Sequence, residues 1–526
     1  MYSDITAEPH LIALLRRFIQ NHGPVSSTEF AGRYGIETAT VNALEAKIAE
    51  QSCIVRGRFR PVSPSSQDET QWCFRPNVEK IHRQTIAFLR KEIKPSTLPE
   101  FTNFLFHWQH IAPSTKDAGI RGVEGTLIQM QGYSLAADLW ERSILASRIR
   151  DYSSPLLAQL TSTGDVVWMG TGTGKMGPIF RGEGSLFIAS EPGEEGLQEP
   201  ARRVLAFLRQ HGASFLADVR NGTHLSLDAI NAGIAELFWA GFITNDVFGE
   251  VLGIRKSTRT SPELPIERAE MVDPRHNPRR GRIMQSVRRA MKQVPGWTGR
   301  WSLIHLPGVM GAPAGLDEQA SRQASQMLDR YGIVAREFYR RETLLPWAMI
   351  ATELQRMEMR GEIRRGYFIE GLSGMQYAHP NAVEEMRRVR GDERSGVLLL
   401  NTCDPANPYG TGINLPADAG QQVEPRLLRH PENYIAFLDG VPVVFLEHAS
   451  ARIWTFPDVP ESAIAEALGQ FIGLIRLPEH MRPFKEVLVE QCNGMRPAET
   501  PLAGILKSLG FVRDRNQTMR LDEYSI

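Results

Sequence analysis

Two consecutive stretches of the sequence decide the fold: ARRVLAFLRQHGASFLADVRNG (residues 201–222) and SLDAINAGIAELFWAGFITN (residues 226–245). The first predicts a helix that ends at a His-Gly pair and is followed by a short helix. The second has apolar residues at helical spacing and closes on a glycine and a β-rich segment. Three helices followed by a small β-ribbon are typical of a winged helix-turn-helix.

The same pattern recurs along the first 390 residues. In the first copy, Ser26 and Glu29 form an S-x-x-E capping box at the start of the second helix, and residues 53–59 alternate as a strand does. The second copy is longer and ends in the β-rich pieces GDVVWMG and GPIFRGE. Generic packing of short helices is the alternative interpretation, but each copy ends in a strand signal where a wing would lie. The other copies occupy residues 11–59, 99–195, and 323–341 with 347–371.

Beyond residue 392 the pattern changes to short strands. YIAFL and VPVVFLE are joined by Asp439-Gly440, a strong signal for a two-residue hairpin. Further strands alternate with two helical segments, which indicates a small β-barrel or curved sheet carrying helices. The sequence therefore predicts an α+β fold of tandem winged helix-turn-helix domains followed by a β-barrel domain. The predicted divisions are 1–95 (winged helix 1 with a linking helix), 96–196 (winged helix 2), 197–254 (winged helix 3), 255–300 (basic linker), 301–391 (winged helix 4) and 392–526 (barrel).

The composition of the 526-residue chain is that of a globular protein, with 42% hydrophobic and 23% charged residues. No apolar run is long enough to span a membrane, and the N-terminus has no basic region followed by an apolar stretch. The four cysteines lie far apart without a C-x-x-C pair, so a zinc site or disulfide framework is not expected. These features predict a reduced, cytoplasmic protein that has no membrane association.

Charge is balanced overall but unevenly distributed. Lys plus Arg and Asp plus Glu each total 60, which excludes a uniformly basic coat for nucleic acid. Between Arg255 and Arg300, however, twelve Lys or Arg face four Asp or Glu. This Pro- and Arg-rich segment is either a solvated linker or an arm that contacts phosphates. Its candidate DNA-binding residues are Arg275, Arg279, Arg280, Arg282, Arg288, Arg289 and Lys292.

Two motifs suggest a nucleotide site and a metal site, but each lacks residues that such a site requires. GTGTGK (170–175) lacks the first glycine of a phosphate loop, and Met176 stands where Ser or Thr is needed, so the glycines are expected to turn a wing hairpin. His107 and His110 have helical spacing but no further ligand nearby, so no metal is expected. No cofactor is predicted.

The segment LIQMQG brings two amides, Gln129 and Gln131, to either side of Met130. In an extended or turn conformation the two amides point to one side and Met130 to the other. Convergent amides can position a water and stabilise a developing positive sugar, although they cannot act as general acids. From spacing alone, the favoured interpretation is that both are polar residues on a helix surface.

Several segments resemble the C-terminal region of Lhr-type large helicases: FLFHWQH, LIQMQG through VVWMG, ELFWAGFITND, EIRRGYFIEGL and above all DPANPYG. The resemblance covers residues 10–523 and does not include the motor domains. This region in turn resembles the AlkZ/YcaQ class of DNA glycosylases, which are tandem winged helices with a β-barrel. Their catalytic signature is Gln-Φ-Gln or Gln-Φ-Asp, and the resemblance carries it onto Gln129, Met130 and Gln131.

The resemblance implies excision of either an alkylated base or uracil. An alkylated purine is already cationic and leaves without protonation, so two amides holding a water can suffice. Uracil leaves as an anion, and its site needs stronger stabilisation of the sugar, preferably by a carboxylate. Because Gln stands where the carboxylate form has Asp, uracil activity requires another acid, for which Asp522 near the C-terminus is a weak candidate.

The resulting expectation is a monofunctional DNA glycosylase that acts on duplex or single-stranded DNA without metal or nucleotide. One alternative is a non-catalytic DNA-binding module for a separate helicase. Another is a protein–protein scaffold, since the resemblance also suggests a homo-oligomer. An assay for abasic sites beside a salt titration of DNA binding distinguishes the enzyme from the module.

Overall fold

The computed structural model describes residues 8–49, 54–60, 70–91, 94–188, 191–259, 298–391, 394–416, 425–514 and 517–522. The chain divides into two compact units, Met1–Ile93 and Lys94–Ile526. None of the described helices combines the length and the hydrophobicity that a membrane crossing requires.

The first unit has its own core and the element order of a winged helix. Leu15, Phe18 and Ile19 recur on one face of its first helix and are buried. The expected capping box is confirmed: Ser26 accepts from the Glu29 backbone N–H, and the Glu29 carboxylate accepts from the Ser26 N–H. The three strands pair in the order β1-β3-β2. The elements are α1 (Glu8–Asn21), β1 (Val25–Ser26), α2 (Ser27–Tyr34), α3 (Thr38–Ala49), β2 (Ile54–Gly57), β3 (Gln71–Phe74) and α4 (Arg75–Lys91).

The second unit begins with a helix and a second copy of the same strand arrangement, β5-β8-β7. Its wing is the β7–β8 hairpin, and residues 171–174 form the turn, as predicted for the GTGTGK segment. The elements are α5 (Leu98–Trp108), β4 (Asp117–Ala118), α6 (Gly119–Gln129), β5 (Leu135–Ala136), a π-helical segment (Trp140–Leu145), α7 (Ala146–Arg148), β6 (Ile149–Arg150), α8 (Ser154–Ser162), β7 (Val166–Gly170), β8 (Lys175–Phe180) and α9 (Gly184–Phe187).

In the next copy, the described strands that precede and follow the basic segment in the sequence pair with each other. Strands β9 and β10 pair antiparallel, with Trp301 opposite Asn245, and Trp301 also bridges to Ser214. Residues 301–303 therefore complete the third copy, although the sequence assigned them to the fourth. Residues 260–297 of the predicted basic linker lie outside the described residues, and in the sequence they stand between these two paired strands. The elements are α10 (Glu199–His211), α11 (Leu216–Thr223), α12 (Leu227–Trp239), β9 (Ile243–Asn245), α13 (Phe248–Arg259), β10 (Trp301–Leu303) and α14 (Pro307–Met310).

The last copy repeats the strand order once more, as β11-β13-β12. Its first helix is amphipathic and buries Ala324, Met327 and Leu328 along one side. The same helix also buries several polar side chains, which make the contacts described below. The elements are α15 (Leu316–Tyr331), β11 (Ile333–Val334), α16 (Arg336–Tyr339), α17 (Trp347–Met359), β12 (Arg364–Gly366), β13 (Gln376–Ala378) and α18 (Pro380–Gly391).

The C-terminal strands do not close into the predicted barrel among the described residues. They form an open sheet, β14-β15-β16-β17-β19, and a separate sheet, β18-β21-β20. The predicted hairpin is confirmed: Asp439 and Gly440, with φ of 49° and 85°, join β15 to β16. The elements are β14 (Val397–Asn401), β15 (Tyr434–Leu438), β16 (Val441–Glu447), β17 (Arg452–Thr455), α19 (Glu461–Gly473), β18 (Glu486–Val489), β19 (Gln491–Cys492), α20 (Leu502–Ser508), β20 (Val512–Arg513) and β21 (Met519–Asp522).

The DPANPYG segment (404–410) joins this C-terminal part to the winged helices through buried arginines. Asp404 accepts two hydrogen bonds from Arg148, at 2.9 and 2.8 Å, and both side chains are fully buried. Arg341 and Arg429 donate to the backbone oxygen of Asn407 at 2.7 and 2.9 Å. These buried contacts give the segment a structural role: through Arg148 it fixes the position of the second winged helix against the C-terminal part.

Candidate functional site

The QMQ triplet lies where the first helix of the second winged helix turns into its first strand. Gln129 is the last residue of α6, and Met130 is the C-cap. The Met130 side chain is fully buried and belongs to the hydrophobic core of this region. The helix ends here because the chain must reverse into β5, and Gly132, with φ of 75°, makes that turn.

The Gln129 side chain is held by backbone oxygens. It is half-buried, and its Nε2 donates to the oxygens of Trp108 and Asp329, each at 3.1 Å. No group among the described residues donates to its Oε1. The Gln129 amide therefore fastens α6 to α5 and α15 and leaves one acceptor for water.

The Gln131 side chain joins a carboxylate and a guanidinium. Its Nε2 donates to Glu183 Oε2 at 3.0 Å, and its Oε1 accepts from Arg322 at 2.9 Å. Arg322 also approaches Glu183, at 3.5 Å. Gln131 is only 1% exposed, whereas the side chains of Glu183 and Arg322 are 42% and 26% exposed. The solvent-facing part of this cluster is thus the Glu183–Arg322 pair, with Gln131 beneath it.

Both amides face α15, but they do not converge. Gln131 meets Arg322 and Gln129 meets Asp329, and these two positions on α15 are seven residues apart, about 10 Å along the axis. Each amide is therefore bonded to its own protein groups, and no described group joins the two.

The backbone of the triplet is capped from the fourth winged helix. Arg330 donates to the backbone oxygens of Gln129 and Gln131, at 3.3 and 2.6 Å, and Gln326 donates to that of Gln129 at 2.8 Å. These groups satisfy carbonyls that the end of a helix leaves without partners. Cations at a helix C-terminus also interact favourably with its dipole. The conformation of the triplet is therefore fixed by another domain.

Arg330 stays charged although it is buried. Burial alone would lower its pKa, but the adjacent Glu342 carboxylate outweighs that effect and the pKa of Arg330 is raised. Glu342 also accepts from the Tyr331 hydroxyl at 2.7 Å, and burial raises the pKa of Tyr331 well above its usual value. The Arg330 guanidinium lies 4.9 Å from the centre of the Tyr133 ring. A buried arginine–glutamate ion pair thus lies against the backbone of the triplet.

The other residues proposed from the sequence are not brought to this site. Asp522 is the last residue of β21, opposite Glu486, in a sheet of the C-terminal part. Arg275, Arg279, Arg280, Arg282, Arg288, Arg289 and Lys292 lie outside the described residues. Among the described residues, no group of three or more His, Cys, Asp or Glu side chains could hold a metal ion.

Glu183 and Arg322 were not identified from the sequence. They lie 52 and 191 residues from Gln131 along the chain. Glu183 follows directly after the wing strand β8, so its place at the end of the second β-rich piece was a usable signal. Arg322 lies in the next-but-one winged helix, and no local pattern links it to the triplet.

Comparison with known proteins agrees with this organisation. Residues 97–180 and residues 314–398 match two models described as winged-helix domains of large helicase-related protein. The chain is 27% identical over 505 residues to a Mycolicibacterium smegmatis protein named "Lhr helicase/ probable uracil glycosylase", covering 92% of this chain and 31% of that protein. It is 24% identical over 533 residues to the Escherichia coli "Lhr helicase/uracil glycosylase", covering 95% and 33%. The chain therefore spans about a third of the length of these relatives.

A solved structure, the Streptomyces sahachiroi DNA glycosylase AlkZ, aligns with 72% of this chain and 96% of its own. The TM-score is 0.37 and the sequence identity is 12%. Two segments, residues 97–180 and 314–398, are thus similar to winged-helix domains of large helicase-related protein, and more than nine-tenths of the chain is similar to about a third of each of the two relatives.

Proposed function

We propose that this chain binds DNA and is a DNA glycosylase, with uracil as its first candidate substrate and an alkylated base as its second. The observation that carries the proposal is similarity along more than nine-tenths of the chain to two proteins whose names include uracil glycosylase. Repeated winged helices, a common DNA-binding architecture, support the DNA-binding part.

In this proposal, Glu183 supplies the carboxylate that excision of uracil needs. Uracil leaves with the electron pair of the glycosidic bond, and the sugar left behind carries positive charge. A carboxylate beside the sugar stabilises that charge and accepts a proton from the water that attacks C1′. Glu183 is partly exposed and is held by Gln131 and Arg322, so it can face a nucleotide while its position is fixed.

In this proposal Gln131 positions the catalytic carboxylate, and Gln129 offers its free Oε1 to a water. Asp522 remains a weaker candidate for the acid because its strand lies in another sheet. Extrusion of the base costs a few kcal/mol, and this cost is smallest for a mispaired base.

The test is cleavage of a uracil-containing duplex, scored as abasic sites. Glu183→Gln is expected to lower the rate constant at saturating enzyme by about 10²-fold or more with DNA affinity unchanged. Glu195→Gln, an exposed glutamate twelve residues after Glu183 along the chain, is the matched control and should retain full activity. Equal activity of Glu183→Gln and the wild type would remove Glu183 from the mechanism.

A parallel substrate separates the two lesions. A cationic alkylated purine leaves as a neutral base, so its excision depends less on a carboxylate. We expect Glu183→Gln to reduce uracil excision more than alkylpurine excision. The reverse order would contradict the role of the Glu183 carboxylate in stabilising the sugar as uracil leaves.

One observation favours a second candidate, a non-catalytic DNA-binding module. Gln131 is buried, and both ends of its amide are already bonded to protein groups. In that case Gln131 only fastens the second winged helix to the fourth. Salt-dependent DNA binding without abasic product from either substrate would support the module and exclude the enzyme.

The proposal has two further parts: the basic segment contacts DNA phosphates, and the chain associates with itself or with a separate helicase. Arg279→Ala with Arg280→Ala should weaken binding at every sequence and reduce its salt dependence, if these side chains contact phosphates. Light scattering with and without DNA tests self-association, and co-purification tests a separate helicase partner.

A further inference from the structure

A cavity of about 540 Å³ lies at the other end of α6 from the QMQ triplet. Its lining comes from Lys116, just before β4, from Ala146, from residues 149–155, and from residues 477, 478, 480 and 481. α6 spans eleven residues, so the cavity and the triplet are roughly 16 Å apart along that helix. The cavity therefore belongs to the second winged helix but is separate from the candidate catalytic cluster.

Cationic side chains outnumber acidic ones in the cavity wall. Lys116, Arg150 and His480 line it, and Asp151 is the one carboxylate among its lining residues. With His480 neutral the wall carries a net charge of +1, from two cations and one anion. Neither Lys116 nor Arg150 has a hydrogen-bonded or ion-paired acceptor among the described residues. Both cations thus lack a direct carboxylate partner among the described residues, although Asp151 lies in the same wall and Glu479 is adjacent to His480 in the sequence.

Lys116 is half-buried, and its surroundings disfavour the charged form of its side chain. Burial first, and then the nearby Arg148 guanidinium, lower the pKa of Lys116. An anion arriving in the cavity would relieve both effects, because it restores a partner to the ammonium group.

Neutral donors complete the wall. Ser154 Oγ lies 3.1 Å from His480 Nε2, and Ser153 precedes α8 without capping it. Cationic groups together with hydroxyls are the usual partners of phosphate oxygens in protein–DNA contacts.

The surface beside the cavity suits a polynucleotide better than a free anion. α8 occupies the third-helix position of its winged helix, which is the helix that enters the groove in proteins of this kind. Its exposed residues Ala158, Gln159 and Ser162 are uncharged, so a strand that leaves the cavity meets no repulsive carboxylate on this helix. The distance to the triplet corresponds to about five nucleotide steps along a B-form strand.

We infer that this cavity binds one phosphate of a DNA strand, either an internal phosphodiester or a terminal phosphate, through Lys116, Arg150 and the adjacent hydroxyls. It thereby sets the distance between the bound strand and the Gln131–Glu183 cluster. This inference rests on the proposed DNA binding but not on the glycosylase chemistry.

The test compares the double variant Lys116→Met/Arg150→Gln with the wild type in a salt titration of duplex binding. We expect about tenfold weaker binding near 0.1 M salt. The slope of log affinity against log salt should fall by about one to two units, since each phosphate contact contributes about 0.9. Lys507→Met/Arg513→Gln removes the same charge from exposed positions in the C-terminal part and is the matched control.

Substrate chemistry distinguishes the two phosphate sources. A series of duplexes with one neutral methylphosphonate each should contain a position that weakens the wild type and leaves the double variant unaffected. A terminal phosphate is identified if, instead, only removal of the 5′- or 3′-phosphate has that effect.

Melting curves establish that both double variants are folded. If the wild type binds DNA and the Lys116/Arg150 variant matches the Lys507/Arg513 variant in affinity and slope, the inference is wrong and the proposed DNA binding stands. If the wild type fails to bind DNA at low salt, both are wrong. Loss of binding with unchanged slope also contradicts the inference, because it separates these side chains from any phosphate.

Discussion

At the level of single residues, the sequence indicated part of the candidate catalytic cluster and missed the rest. The QMQ triplet could be selected from the sequence, and alternation could suggest that both amides face one side. Arg322 could not be predicted as a partner, because it reaches Gln131 only after the second and fourth winged helices have packed together, and Glu183 lies 52 residues from Gln131 along the chain. Sequence reasoning therefore identified the need for an acid but proposed it at Asp522, which lies in another sheet.

Asp404 is the residue whose replacement should destabilise the second unit most clearly. Its carboxylate is fully buried and pairs with Arg148 through two hydrogen bonds. Asp404→Asn retains the volume but leaves a buried guanidinium without its counterion. We expect a loss of about 3–5 kcal/mol in the free energy of unfolding, measured by chemical denaturation.

A surface ion pair provides the control for Asp404. Arg209 and Glu194 form a pair in which both side chains are more than two-fifths exposed. Glu194→Gln should change stability by no more than about 1 kcal/mol, since such pairs contribute little. Similar effects of the two substitutions would contradict the structural role assigned to the DPANPYG segment.

The thiol of Cys403 gives a pH-dependent prediction. Burial raises its pKa to about 11. An acid whose folded pKa is raised stays protonated at pH 9, where about one molecule in a hundred would carry the reactive thiolate. Iodoacetamide labelling of native protein at pH 9, followed by peptide mass mapping, should therefore modify Cys403 far more slowly than labelling after denaturation. Equal rates would show that the thiol is not shielded.

At the scale of the element, the sequence was sufficient to predict those features that neighbouring residues determine. The Ser26–Glu29 box and the Asp439-Gly440 hairpin formed as expected because neighbouring residues alone determine them. The pairing of β9 with β10 was missed, because more than fifty residues separate the strands and pairing over that distance leaves no periodicity to detect. The expected barrel is not confirmed among the described residues, whose strands form two sheets, because short strands predict a sheet but not its closure.

Gly170 fixes how the wing of the second winged helix packs. A side-chain carbon there would lie 1.9 Å from the backbone oxygen of Phe238, at the end of α12. Gly170→Ala must push β7 away from α12, and we expect a destabilisation of about 1–3 kcal/mol in thermal or chemical unfolding.

Gly125 is the matched control and should respond with the opposite sign. It lies inside α6, is exposed, and has no atom within 4 Å of the position that a side-chain carbon would take. Gly125→Ala should stabilise the protein by about 0.5–1 kcal/mol, because alanine loses less backbone entropy in a helix. A neutral Gly170→Ala, measured beside a stabilising Gly125→Ala, would exclude the close contact.

At the scale of the whole molecule, two units with separate cores predict two unfolding transitions. Leu15 is fully buried in the core of the first unit. Leu15→Ala should cost that unit about 2–5 kcal/mol and lower the temperature of one calorimetric transition by about ten degrees or more. Asp404→Asn should lower the other transition only. If both variants shift a single shared transition, the units unfold together, and binding of DNA by one unit would then stabilise the other through the same equilibrium.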